Sequence, residues 1–132
     1  MPTVKVGSFK KAVEELLDQY GEGCMEAITE TAKETAKDAA KMLRQTSPVN
    51  PKGKKSGAYA KNWTHQVEEG RLSVSAVVYG KKPTYRLAHL LEHGHALRQG
   101  GRSPAKVHIK PVEEWIDVEA VKRLKRKIEA IQ

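Results

Sequence analysis

The sequence predicts an α+β fold: long N-terminal helices and a C-terminal helix packed on a small antiparallel β-sheet built around a hairpin. Three observations carry it. Apolar residues recur at helical spacing through residues 9–42. Two stretches, 59–68 and 71–79, alternate apolar and polar residues on either side of Glu69-Gly70. A last helical pattern follows Pro111.

The first helix carries Phe9, Val13, Leu16, Leu17 and Tyr20 on one face, with Ser8 as its expected N-cap. Gly21 and Gly23 break or kink it. A second helix spans about 24–44. Its stripe of Ile28, Ala32, Thr35, Ala39 and Met42 is mostly small, so a partner backbone can approach closely. The opposite face carries Glu26, Glu30, Lys33, Glu34 and Lys37. Glu30 with Lys33, and Glu34 with Lys37, are expected to pair and offset the repulsion between the two glutamates.

Residues 47–57, SPVNPKGKKSG, form an exposed loop of prolines, glycines and lysines. The hairpin comes next. A two-residue turn at Glu69-Gly70 would set Glu68 opposite Arg71, Val67 opposite Leu72, His65 opposite Val74 and Trp63 opposite Ala76. Trp63, His65, Val67, Leu72, Val74 and Ala76 then share a buried face. Leu87, Leu90 and Leu91 make a short helix that ends at Gly94. A thirteen-residue loop, 94–106, follows, and Val107-His108-Ile109 reads as a short strand. Val112, Trp115, Ile116, Leu124 and Ile128 form the apolar side of the last helix. KRLKRK, residues 122–127, suits its C-terminal dipole.

The 132 residues are expected to form a single domain. Its parts are a helical arm (1–46), a hairpin, short helix and flexible loop (47–111), and the C-terminal helix (112–132). Hydrophobic content of 39% and aromatic content of 5% make the core lean. No apolar run is long enough to span a membrane, and the N-terminus lacks the apolar centre of a signal peptide. The lone Cys24 excludes an internal disulfide and agrees with a reducing cytoplasm. The net charge of +8 is uneven. Residues 1–38 carry −3, residues 39–111 carry +11, and residues 112–132 are balanced. An acidic end beside a basic middle suits head-to-tail self-association or an acidic partner.

Two chemistries compete with an assembly role. His89-Leu90-Leu91-Glu92-His93 is an H-x-x-E-H pattern, in which two imidazoles four residues apart could hold zinc with Glu92 as base. Only about forty residues follow it, too few for a separate lobe bearing a third ligand. Packing of His89, and a helix C-terminus favouring charge on His93, explain the pattern more cheaply. The basic middle would serve a small nucleic-acid-binding protein, but no aromatic platform is interleaved with it. No catalytic residue, metal or cofactor is expected.

Read together, Ser47-Pro48-Val49, Gly57-Ala58, the hairpin, YRLAHLLEHGHALRQGGR and VHIKPVEEW resemble a tailed-phage family. It is the head–tail joining or tail-component family named for gene product ten of coliphage HK97. The resemblance covers residues 45–116, with Asn50 to Ser56 replacing the family's short link into the hairpin. It implies a non-enzymatic virion protein, assembled in host cytoplasm. Such a protein forms a homo-oligomeric ring and joins head-completion or connector proteins to tail proteins, with DNA passing nearby but not specifically bound. The residues it marks as interfacial are Glu92, Gly94, His95, Arg98, Gly100, Gly101, Arg102 and Lys106. The loop is expected to be mobile until a neighbour orders it.

Overall fold

The computed structural model describes residues 7–49, 57–70 and 73–131. Most of the lysine-rich loop at 47–57 lies outside them, as do Arg71 and Leu72. The architecture is the α+β arrangement predicted. Helix α1 (Gly7–Tyr20) meets a 3-10 turn (Gly21–Cys24) at the glycine pair, and α2 (Met25–Thr46) follows. A one-turn helix α3 (Ala58–Lys61) leads into β1 (Trp63–Glu69) and β2 (Val74–Gly80). A second 3-10 turn (Thr84–Arg86), α4 (Leu87–His93) and α5 (Ile109–Ile131) complete the chain. Helix α1 already includes Ser8, so that residue sits in the first turn rather than at the cap.

Helix α2 is the central element. Its predicted stripe is buried at Ile28, Ala32, Thr35 and Ala39, and the adjoining row Ala27, Thr31, Ala36, Ala40 and Leu43 is buried too. Seven of these nine residues are Ala or Thr, which lets both the sheet and α5 come close to one helix. Leu43, Tyr59, Trp63, Val78, Ala88, Val112 and Ile116 form the main cluster with the alanines. A second cluster joins Ile28 and Leu124 to the apolar face of α1.

The wet face of α2 pairs across elements, not along itself. Lys127 of α5 reaches both Glu30 (3.4 Å) and Glu34 (3.1 Å), while Lys33 bridges to Glu69 of β1. The expected i,i+3 pairs are therefore replaced. One lysine between two glutamates relieves their repulsion better than two separate neighbours would. Arg123 likewise joins Asp38 at 2.8 Å and Glu119 at 3.2 Å. The basic run of α5 thus supplies cross-helix partners; the expected dipole role is corrected, because α5 continues to Ile131 and its last turn holds no basic residue.

The hairpin differs from expectation in register. Trp63 pairs with Gly80, His65 with Val78, Val67 with Ala76 and Glu69 with Val74. The predicted Trp63–Ala76 pair is displaced by four residues. The turn is also longer, closed by the Gly70 N–H donating to Ser73 O at 2.7 Å. A two-residue turn at Glu69-Gly70 would have placed a glutamate in the left-handed region favoured by Gly and Asn. An even displacement leaves the faces unchanged, so Trp63 is still buried, at 2% exposure. Opposite a glycine, the indole has room to pack. A Cβ at Gly80 would itself stand 3.4 Å from the Tyr85 backbone. Residues 59–61, read as strand, are the turn α3, which directs Tyr59 inward.

Close packing on α2 makes a specific prediction. Ala39→Leu should lower stability by about 1–3 kcal/mol through overpacking. Lys41→Leu on the exposed side should stay within about 0.5 kcal/mol of the parent in denaturant titrations.

Candidate functional site

The residues marked by the sequence gather where α4 ends and α5 begins. Glu92 turns inward and is 7% exposed. Its Oε1 accepts the backbone N–H groups of His108 (2.7 Å) and Ile109 (2.9 Å), and Oε2 accepts that of Lys110 (3.0 Å). A helix leaves its first four N–H groups without intrahelical partners. Here three go to one carboxylate, and the fourth position is Pro111, which has no N–H. The predicted strand at 107–109 is therefore absent. Ile109 is the first residue of α5, and Pro111 lies within its first turn.

His108 extends this junction. Its Nδ1 faces Lys106 O at 2.7 Å and Glu92 Oε1 at 3.0 Å, both acceptors, so Nδ1 carries a proton. Its Nε2 lies 2.7 Å from the Tyr59 hydroxyl. Burial and the nearby Glu92 charge push the Tyr59 phenol well above its ordinary range, so it stays protonated and can donate to Nε2. Burial alone would push Glu92 up as well. The three backbone N–H bonds and His108 outweigh that and hold its carboxyl below the usual value. The positive end of the α5 dipole acts in the same direction.

The arrangement answers the H-x-x-E-H pattern. Glu92 points into the protein with both oxygens engaged, whereas His89 and His93 are exposed, their rings 4.8 Å apart. The expectation that His89 packs inside is corrected. Among the described residues, no three His, Cys, Asp or Glu side chains come together as a metal site. The same rotation exposes Leu87 and Leu90 and buries Ala88, so of the predicted leucine stripe only Leu91 packs against the core. Burying the Glu92 carboxylate against α5 sets that rotation.

The loop 94–106 folds back on itself, where the sequence predicts a segment without structure of its own. Ser103 N–H donates to His95 O (2.8 Å), Leu97 N–H to Gly101 O (2.9 Å), and Ala96 and Arg102 form an isolated antiparallel bridge. Ser103 Oγ accepts the His95 N–H at 3.0 Å and lies 2.8 Å from its Nδ1. Lys106 N–H closes the base on Leu91 O at 2.7 Å. Gly94, with φ +75°, is pressed against the returning strand, where a Cβ would meet Ser103 O at 2.5 Å. Of the predicted interface residues, Glu92 and Gly94 are thus buried at the foot and His95 is half-buried. Arg98, Gly100, Gly101, Arg102 and Lys106 are exposed.

Sequence reasoning missed His108 as a partner of Glu92, and Tyr59 as the partner of His108. A signal was present. The α5 start reads Lys106-Val107-His108-Ile109, with no Ser, Thr, Asp or Asn at the cap position, so a remote acceptor was required.

With this geometry in view, the comparison with known families is informative. The family described as "Bacteriophage HK97-gp10, putative tail-component" matches residues 9–94, about two thirds of the chain. The chain belongs to this phage tail-component family. The match takes in α1 and α2 and stops at Gly94, the foot of the loop. No curated protein and no solved structure matches.

The Glu92 junction predicts a pH dependence. A carboxyl held low in the folded state contributes stability above its unfolded pKa of about 4.3, and that contribution is lost as pH falls through the folded value. Melting temperature should therefore fall on acidification below about pH 5. Glu92→Gln should flatten that part of the profile. Glu92→Ala should cost at least about 2 kcal/mol at pH 7, because buried N–H groups lose their acceptor.

Proposed function

We propose that this protein is a neck or tail-completion component that joins the head connector to the tail, acting as a homo-oligomeric ring. The observation that carries the reading is the loop 94–106 on a chain of a phage tail-component family. It is clamped at its base, exposed at its tip, and bears Arg98, Arg102 and Lys106 with no acidic residue. A loop held in shape loses little conformational entropy on docking, which favours specific contact. Its partners would be neighbouring copies and the connector and tail proteins on either side. Its place would be the virion, reached after assembly in host cytoplasm. The role is structural. Glu92, the one acid of the H-x-x-E-H pattern, is occupied in capping α5.

DNA would pass through such a ring without being read. The loop tip offers arginines but no aromatic side chain on which a base could stack. Among the described residues, no helix is long and apolar enough to cross a membrane.

Reversing the loop charges tests the reading. Arg98→Glu with Arg102→Glu should shift stability by less than about 1 kcal/mol, because both side chains are exposed and Arg102 adds only a long hydrogen bond to Gly94 O at 3.4 Å. In complementation the same double variant should give separate filled heads and unattached tails. Joined, infectious particles in normal yield would show that the loop is not the joining contact.

A further inference from the structure

An open groove of about 570 Å³ lies between α1 and β2. Phe9, Val13 and Leu17 form one wall and Ile116 part of another. Six consecutive residues, Ser73 to Val78, form the side opposite α1. Strand side chains alternate between faces, so a groove touching six in a row runs along the strand's edge. That edge is open, since the sheet has only two strands among the described residues. Natural edges are usually guarded by charge, proline or a bulge. Strand β2 reads VSAVVYG, with no charge and no proline, while β1 carries Glu68 and Glu69. An unguarded edge beside apolar walls fits a surface that something else covers.

We infer that the groove receives the loop tip of a second copy of this chain. Leu97, 41% exposed at the tip, supplies the apolar group that enters. Around it the loop is wholly basic, through Arg98, Arg102 and Lys106. The α1 wall presents Glu14, with Glu15 and Asp18 exposed on the same helix, and Lys10 and exposed Lys11 stand toward its N-terminal end. The arginines therefore meet the acidic half of α1 when Leu97 is seated. Loop and groove share no residue. One copy thus carries both halves of a heterologous contact, the kind that closes rings. This inference rests on the ring-forming reading above and names the surface through which copies meet.

Engineered cysteines test it in assembled particles. Leu97→Cys combined with Ser75→Cys, and separately with Val13→Cys, should give an oxidation ladder of dimer, trimer and larger species. Each single variant alone should give none. Two receiving positions keep the test valid where one substitution disturbs folding. A product that stops at dimer would mean a two-fold contact and overturn the proposal. So would a disulfide from the loop-tip thiol to a different virion protein. No ladder in normally joined particles would overturn the docking while leaving the head–tail role standing. Absence of the protein from particles would take that role down, and the docking with it.

Discussion

One carboxylate ties the end of α4 to the start of α5. Glu92 ends one helix and supplies the acceptor that begins the next, sixteen residues on. A buried charge is costly unless its lone pairs are filled. Here backbone donors, a histidine and a helix dipole fill them. The consequences extend outward. The inward turn of Glu92 decides which face of α4 is buried. The start it gives α5 sets which face of that helix meets α2. The distance between those two points fixes the span that the loop must close. Tyr59 is drawn into the same junction through His108, so the turn preceding β1 is tied to it as well.

Helix α2 makes that arrangement compact. Its buried side is largely alanine and threonine, so specificity comes from shape and from partners at the rim. The Arg44 guanidinium donates to Trp63 O at 2.8 Å and pins the start of β1 to the end of α2. Arg123 and Lys127 fix α5 along the acidic side. These exposed pairs contribute little energy individually, but they restrict how one helix slides on another.

The parts of the fold legible in the sequence were those written in periodicity. The burial of Ile28, Ala32, Thr35 and Ala39 follows from spacing alone, as does the shared face of Trp63, His65, Val67, Val74 and Ala76. What failed depended on partners distant in the chain. The hairpin register hinged on turn chemistry that Glu69 could not satisfy. Val107-His108-Ile109 looks extended by composition, yet a remote carboxylate makes Ile109 the first residue of a helix. Leu87 and Leu90 looked like a core stripe until burial of Glu92 rotated the helix. At the site, the exposed arginines and glycines were readable as a loop. The Tyr59–His108–Glu92 chain was not, because it joins three elements, two of them read as strand, and only the missing cap before Ile109 hinted at it.

The closed foot of the loop has an evolutionary reading. Lys106 on Leu91 and Ser103 on His95 complete the fold beneath the tip, so residues 97–101 sit outside the energetic account of the core. Lengthening such a tip costs only about 0.6 kcal/mol for each doubling of the free segment. Gly100 and Gly101 have open space around them, but their φ values of +98° and +79° favour glycine, so the length of the tip is freer to change than these two residues. The tip is thus a segment whose length the scaffold beneath it does not constrain. An inserted epitope or peptide tag at this point would leave the chain that displays it folded while obstructing whatever the tip meets.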